Sequence, residues 1–437
     1  MSSTEDLLVE AYAARPASLR IAVVTETFPP EINGVAMTLG RVVDALVRRG
    51  HSVQLVRPRQ PCEPANASVL GIDEVLSSGA PIPTYAAMRF GLPAKNRLTK
   101  LWSAHRPDIV HVATEGPLGW SAVAAARKLH LPITSSFHTN FQSYTGHYGL
   151  GLLKTPIESY LRKLHNHTQT TMVPTRALML DLQNRGYLNV KLLARGVSDA
   201  LFCPSKRSPA LRSSWGVSED DLVVMLVGRL AKEKNVGLVI AAYRAIARLQ
   251  PRARLVFVGD GPLRAALQTN CPEAVFAGMR QGEDLAAHYA SGDLFLFPSL
   301  TETYGNVVPE ALASGLAVVS FANAAAQELI TSDINGMLVP AGDELAFVNA
   351  AVRVAQNARL RTALRVAAAP SVAHLGWEAI FDTFIDHLRR VLDSQCSGFH
   401  AAAPALVPSY VRQTSASALD PSGSACPAPA LLPSQSP

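Results

Sequence analysis

Residues 222–235, LVVMLVGRLAKEKN, decide the fold, because they begin a second series of strand and helix signals in one chain. An apolar, β-branched run that ends at Gly228 is typical of a buried parallel strand. Runs of the same character follow it, each before a helix or turn signal: RLVFVGDG, AVFAG, LFLFPS and LAVVSF. This alternation predicts βα units on a parallel sheet.

The first part of the chain carries an equivalent series, which begins at LRIAVVTE, residues 19–26. A helix is predicted from about Val35 to Arg49, where Gly50 ends it. The later strands are predicted at SVQLVRP, DIVHVAT, PITSSFH and TTMVPT. Two βα series joined by a Pro-containing connection, residues 194–209, predict an α/β protein with two facing Rossmann-like domains. In such sheets ligands bind at the carboxyl ends of the strands, so the cleft between the domains is the expected site.

The domain limits follow from these patterns. We predict an N-terminal domain over residues 20–200 and a C-terminal domain over 201–373. A helix over 374–396 is predicted to pack back toward the N-terminal domain. Residues 397–437 are rich in Ala, Pro and Ser with almost no charge, which predicts a disordered tail.

Composition restricts the class of protein. Apolar residues make up 48% of the 437 residues and charged residues 17%, a balance typical of globular proteins. Five scattered cysteines without C-x-x-C spacing argue against a disulfide framework or a zinc site. The N-terminus is polar and acidic, and no stretch approaches about 20 uninterrupted apolar residues. We therefore expect a cytoplasmic protein.

The charge balance indicates partners only broadly. The net charge of +6 fits a negatively charged ligand, an anionic membrane surface or a nucleic acid. The basic residues are spread along the chain, and no recognition-helix signature or aromatic-basic stripe is present. We therefore expect no nucleic-acid partner.

The strongest local signal is PSLTETYGNVVPEALASG, residues 298–315. A strand ends at Pro298, and a polar loop leads into a helix that begins near Asn306. The exposed amides of such a loop can bind an anion or hydroxyl groups, and the carboxylates of Glu302 and Glu310 can accept hydrogen bonds from a sugar. Without the rest of the chain, the two glutamates also fit a helix cap and a solvated surface charge.

Three other strand ends carry candidate residues. In VGRLAKEKN, Arg229 and Lys234 lie on a strand-to-helix loop, where two cations can neutralise a diphosphate. In PPEINGV, Gly34 precedes a helix and would let a phosphate approach the backbone. His138 ends a strand in SSFHT and is expected to point into the cleft. Each of these also fits an ordinary feature: an exposed basic turn, a loop glycine, or a structural histidine.

Taken in order, these motifs resemble one known family. GR-x4-K, then VGDGP, then E-x7-E followed by ALASG, is the pattern of the retaining GT-B glycosyltransferases of family 4. The resemblance covers about residues 20–393. Within that family, the first half is most similar to bacterial enzymes that glycosylate lipids, with FHT, GLG and RGV segments like those of mannosyl- and sulfoquinovosyltransferases.

The resemblance implies roles on the nucleotide-sugar side, in the C-terminal domain. Arg229 and Lys234 would grip the donor diphosphate and stabilise the charge that grows on it as the glycosidic bond breaks. Glu302 would bind the donor sugar's hydroxyls and Glu310 the ribose hydroxyls. The backbone amides expected to line the sugar and the phosphates belong to Tyr304, Gly305, Asn306 and Val307.

The N-terminal domain would then bind the acceptor. Gly34 would close on the diphosphate, and His138 would lie beside the sugar and the acceptor as a catalytic residue together with Arg229, Lys234 and Glu302. Retention of anomeric configuration is likewise implied only by the family. No D-x-D motif is present, so no metal ion and no cofactor is expected, and the two cations would replace a metal.

Two positions depart from the family pattern. Ser198 stands in RGVSD where Asp is frequent, and Tyr304 stands where Phe is common. The first half also contains a helix with leucines and basic residues over about 152–164, including Leu152, Leu153 and Lys154. Such a helix fits either a peripheral contact with an anionic membrane or an ordinary helix with one buried face.

Other classes fit parts of the pattern. A dinucleotide-dependent oxidoreductase needs G-x-G-x-x-G after its first strand, but VGDGPLR has Arg264 where the third glycine belongs. A nucleotide-sugar epimerase or hydrolase of the same fold would differ in its products, and a non-catalytic sugar-binding relative would look nearly the same. The expected function is therefore hexosyl transfer from a nucleotide diphosphate sugar, GDP-mannose or a UDP-hexose, to an acceptor, expected to be a lipid or glycolipid.

Overall fold

Seven parallel strands form the first sheet of the protein, seen in a computed structural model that describes residues 18–31, 33–60, 71–82, 85–138 and 154–400. Side chains of residues 82, 85–88, 154 and 395–400 are not described. The spatial order is β3-β2-β1-β6-β7-β8-β9. The bounds are β1 Arg20–Val24, β2 Ser52–Pro58, β3 Ile72–Ser77, β6 Ile109–Val112, β7 Ile133–Ser136, β8 Thr170–Val173 and β9 Val190–Leu192. An antiparallel hairpin joins β4 Gly79–Ile82 to β5 Tyr85–Gly91.

The second sheet has six strands in the order β12-β11-β10-β13-β14-β15, all of them parallel. The bounds are β10 Val223–Val227, β11 Arg254–Val258, β12 Val275–Gly278, β13 Leu294–Phe297, β14 Ala317–Phe321 and β15 Met337–Val339. β10, β13 and β14 are buried along their whole length, because helices cover both faces of the sheet.

Helices connect the strands and cover both sheets. In chain order they are α1 Gly34–Arg48, α2 Lys95–Ala104, α3 Pro117–Lys128, α4 Lys154–His165, α5 Arg176–Asn184, α6 Pro209–Ser214, α7 Val236–Leu249, α8 Arg264–Asn270, α9 Gly282–Ala290, α10 Val307–Ala313, α11 Ala324–Leu329, α12 Glu344–Gln356, α13 Ala358–Val372 and α14 Trp377–His400. None of the described helices is long and apolar enough to cross a bilayer.

The last helix, α14, returns to the first sheet. Phe381, Phe384 and Leu388 are buried there in one apolar cluster with Ile21 and Val43. A hydrogen bond from the amide of Val197 to the carbonyl of Leu375 fixes the entry to this helix. The first half is therefore completed by residues from the end of the chain, and 20–200 and 201–373 remain our proposed domain extents.

Several elements escape the sequence patterns. β3, β9, β15 and the β4–β5 hairpin carry no strong apolar run, because they are short or lie at a sheet edge. α14 continues to His400, past the point where the tail is predicted to begin. The remainder of the predicted tail, 401–437, lies outside the described residues.

Candidate functional site

The site is built where β10 and β13 end. These two strands are hydrogen-bonded neighbours in the second sheet, so the loops that follow them lie side by side. The first loop contains a 3-10 turn over Lys232–Lys234 and ends at Asn235, whose φ of +50° is left-handed. The second loop runs from Pro298 to Asn306. The carboxyl ends of these strands thus bring motifs together that are far apart in the chain.

Lys234 and Glu302 form an ion pair between the two loops. Their side chains are 17% and 12% exposed, so water screens the pair only partly. Ser299 Oγ donates to Glu302 Oε1 over 2.8 Å, and Lys234 Nζ lies 5.8 Å from the centre of the Phe297 ring. The predicted cation and the predicted carboxylate are therefore each other's partners.

Arg229 is more exposed, at 42%, and lies 4.0 Å from Glu233 at the start of the same loop. The glycines of VGDGP hold this loop in place. A Cβ on Gly259 would lie 2.0 Å from the carbonyl oxygen of Gly228, and one on Gly261 would lie 2.4 Å from that of Leu230. These glycines allow two backbone segments to touch, which positions the loop that carries Arg229.

Glu310 projects from α10 and accepts a hydrogen bond of 2.9 Å from the hydroxyl of Tyr289. Burial raises the pKa of Glu310 to about 7, although the Tyr289 hydrogen bond and the positive charge of Arg41 act in the opposite direction. Arg41 belongs to α1 in the first half, where its guanidinium lies 5.0 Å from the Trp377 ring centre. A group from the first half therefore influences the charge of Glu310.

The loop before α10 presents the other predicted residues. Tyr304 is buried, Gly305 adopts a left-handed φ of +83°, Asn306 is the N-cap and Val307 begins the helix. A Cβ on Gly34 would lie 3.5 Å from Asn306 Nδ2, which is an ordinary van der Waals contact. Gly34 of the first half and the loop before α10 in the second half thus lie close together.

His138 lies beside Arg195, a residue without an assigned role in the sequence analysis. Arg195 Nη2 donates to His138 Nδ1 over 3.1 Å. Burial and the Arg195 charge hold the pKa of His138 well below its usual range. Arg195 is only 7% exposed, and burial lowers its pKa to about 10. In the sequence Arg195 is marked only by the RGV segment, and its distance along the chain from the other motifs follows no pattern that would predict a role.

Two carboxylates of the first half, the half-buried Glu26 and the buried Glu115, were also missed. Glu26 follows β1 and accepts from the amide of Leu118 over 3.0 Å, which caps α3. Burial raises the pKa of Glu26 to about 7. Glu115 follows β6, and its Oε1 lies 3.7 Å from Nε2 of His165. Both residues lie just after the ends of parallel strands. Because ligands bind at these ends, this position is the signal that could have marked them as candidate site residues.

Two parallel α/β sheets, the second with a cation–carboxylate pair at the carboxyl ends of its strands, form the architecture of GT-B glycosyltransferases. Family models agree in both halves: residues 32–201 match "Glycosyltransferase Family 4" and residues 221–357 match "Glycosyl transferases group 1". The chain belongs to this glycosyltransferase family and is a hexosyltransferase that takes its sugar from a nucleotide-sugar donor.

Sequence relatives support the family assignment, and a solved structure agrees in fold. A GDP-mannose-dependent alpha-mannosyltransferase of Corynebacterium glutamicum is 32% identical over 86% of this chain and 89% of its own length. An enzyme of the same name from Mycobacterium tuberculosis is 34% identical over 85% of this chain and 97% of its own length. A sulfoquinovosyl transferase of Arabidopsis thaliana is 33% identical over 75% and 65%. In fold, sucrose-phosphate synthase from Thermosynechococcus elongatus is similar with a TM-score of 0.71 at 18% identity, covering 86% and 100%.

Proposed function

We propose that this protein transfers a hexosyl group from GDP-mannose or a UDP-hexose to a lipid or glycolipid, with retention of anomeric configuration. GDP-mannose is the first donor to test, because two relatives above 30% identity carry it in their names. The observation that carries the proposal is the Lys234–Glu302 pair at adjoining strand ends, with Arg229 on the same loop.

In this proposal the donor diphosphate binds beside Arg229 and Lys234. When the glycosidic bond breaks, negative charge grows on the departing nucleoside diphosphate, and fixed cations stabilise it more strongly than water does. Glu302 holds Lys234 in place before the donor arrives and accepts hydrogen bonds from the sugar hydroxyls afterwards. No cofactor and no metal ion takes part, since the two cations supply the positive charge.

The nucleoside and the sugar are held by the neighbouring groups. Glu310 accepts hydrogen bonds from the ribose hydroxyls, and its carboxylate form accepts them more strongly than the protonated acid. The amides of the loop before α10 line the sugar and the phosphates, and Gly34 approaches the diphosphate from the first half. His138 lies beside the transferred sugar and the acceptor.

For the acceptor we propose a lipid or glycolipid presented at an anionic membrane surface. On α4, Leu161 and Leu164 are buried, while Arg162 and Lys163 are exposed. The exposed pair supplies the charge for a peripheral contact. Leu152 and Leu153, which belong to the same sequence pattern, lie outside the described residues. Nucleic acid has no place in this proposal.

A donor and acceptor screen tests the proposal. The full chain is mixed with GDP-mannose, UDP-glucose, UDP-galactose, UDP-sulfoquinovose or NAD, with and without total lipid extract. One sugar nucleotide should raise the melting temperature, release its nucleotide when lipid is added and yield a lipid-soluble glycoside.

The products separate the alternatives. Release of free nucleotide together with an altered or free sugar, and no glycoside, would show that the protein is an epimerase or a hydrolase and not a transferase. Stabilisation by NAD alone would contradict the sugar-nucleotide site. Arg353→Met serves as a control variant, because this exposed residue pairs with Asp333 on the surface and has no role in the proposed site.

A further inference from the structure

Arg195 contacts residues of both halves of the molecule. It follows β9, at the carboxyl edge of the first sheet, where Nη2 contacts His138. The Tyr304 hydroxyl donates to the carbonyl oxygen of Arg195 over 3.2 Å, and the Tyr304 ring centre lies 5.8 Å from the guanidinium. Nη1 is 3.5 Å from Asn306 Oδ1. The orientation of one guanidinium thus depends on the donor loop of the second half.

This contact determines where the proton of the His138 ring lies. A guanidinium only donates hydrogen bonds, so Nδ1 of His138 accepts from Arg195 and carries no proton. In a neutral ring the proton is then on Nε2. That atom is buried and has no hydrogen-bond partner within the described part of the chain. A buried donor without a partner destabilises the folded protein, and a bound ligand oxygen would remove this cost.

We propose that Arg195 is a positioning residue that fixes His138 as the neutral Nε2–H tautomer, so that Nε2 donates to an oxygen atom of the bound sugar nucleotide. This inference rests on the proposed function. It adds what that function leaves open, namely which nitrogen of His138 faces the ligand and which residue decides it. Tyr304 and Asn306 contact Arg195 from the second half, so residues of both halves support the contact that sets the tautomer.

The charges around His138 favour the neutral ring. Burial lowers the pKa of His138 most, and the charge of Arg195, which faces the ring from the segment after β9, lowers it further. His111 of β6 and His165 of α4 also face the ring and act in the same direction. A protonated ring would have hydrogen on both nitrogens and could no longer accept from Arg195. Removing the Arg195 charge should therefore move the acid limb of the kcat profile to higher pH.

The direct test is the 15N spectrum of histidine-labelled full-length protein without substrate. Wild type should show His138 as the Nε2–H tautomer, assigned as the signal that His138→Gln removes. Arg195→Met should give a mixture of tautomers or an imidazolium near neutral pH. Arg195→Lys, which keeps a charge and a donor, should retain most of the wild-type pattern. Arg353→Met should leave it unchanged.

Kinetics with the donor supplies the second arm. Arg195→Met should lower kcat by about 10²-fold, the cost of misplacing one catalytic group, with KM changed less than about threefold. A wild-type Nδ1–H tautomer, or an unchanged spectrum in Arg195→Met, would overturn the inference whatever the activity. The predicted spectra without hexosyl transfer from any sugar nucleotide would instead refute the proposed function and with it the role in catalysis.

Discussion

The two sides of the cleft differ in how their polar groups are satisfied. In the second half, Lys234 pairs with Glu302, and Glu310 accepts from Tyr289. In the first half, Nε2 of His138 and Nε of Arg195 are buried without a partner among the described residues. The charged groups Lys234, Glu302 and Glu310 are therefore paired before a ligand binds, whereas His138 and Arg195 contain buried donors without partners in the described part of the chain. Glu233 Oε2 and Thr301 Oγ1, on the second-half loops, are also buried without a partner among the described residues.

The two sides also differ in which parts of the chain supply the interacting residues. The donor-side groups come from short motifs at two neighbouring strand ends, and their side chains meet within the second half. The His138–Arg195 contact joins two first-half segments, but residues of the second half hold it. The loop that contains Tyr304 and Asn306 therefore contacts the His138–Arg195 pair directly through Arg195.

The largest expected effect is on the donor side. Lys234→Met should lower kcat about 10²- to 10³-fold, because it removes a fixed charge from the leaving group and leaves Glu302 without its partner. Steady-state kinetics with saturating acceptor measures this change. Combining the substitution with Glu302→Gln should cost less than the sum of the single effects, since the two residues form one unit. Simple additivity would show that they act separately.

Glu310→Gln should weaken donor binding by about tenfold or more, since a hydrogen bond to a charged group contributes about 1.5–3 kcal/mol. Titration with the nucleoside diphosphate alone measures this loss, because the proposed contact is to the ribose. The Tyr289 hydroxyl can donate to the amide oxygen, so the fold should be kept. Unchanged affinity would remove Glu310 from the nucleotide site.

The pH dependence of stability provides a third prediction. Burial raises the pKa of Glu310 and of Glu26 to about 7, from 4.5 in an unperturbed carboxyl group. Between these values the folded protein binds more protons than the unfolded chain, so stability should fall as pH rises from about 4.5 to about 7. The slope is at most about 1.4 kcal/mol per pH unit for each group.

The melting temperature should depend less steeply on pH over this range in Glu310→Gln and in Glu26→Gln than in wild type. The comparison separates the two sides of the cleft, because each variant removes the contribution of one half. If either variant kept the full wild-type slope, that carboxyl group would not have the raised pKa described here.

The smallest effect is expected at a contact between the halves away from the site. Glu328 of α11 accepts from the amides of Arg176 and Ala177 over 2.9 and 3.2 Å, which caps α5 of the first half. Glu328→Ala should lower stability by about 1 kcal/mol or less, measured by denaturant unfolding, and raise the donor KM slightly. A kcat loss as large as that of Lys234→Met would contradict the assignment of Glu328 to a contact away from the site.

The sequence predicts the second half better than the first. Each long apolar strand of that half leads into a loop, and the motifs GR-x4-K and E-x7-E on these loops predict Lys234 and Glu302 as site residues. The structure places these two residues in contact, and their roles stay predictions. Arg195 escaped because its partners His138 and Tyr304 lie 57 and 109 positions away, and no periodicity relates them. Glu26 was included within a predicted strand, although it lies beyond β1 and caps a helix.

Hydrogen exchange with and without GDP-mannose tests the central claim most directly, namely that the sugar nucleotide binds between the two sheets. Backbone amides of 228–235 and 299–312 in the second half, and of 33–41 and 193–197 in the first, should all become protected. Lys234→Met should reduce this protection at equal donor concentration, and Arg353→Met should not. Protection confined to one half, or absent from all four segments with every sugar nucleotide tried, would contradict the account.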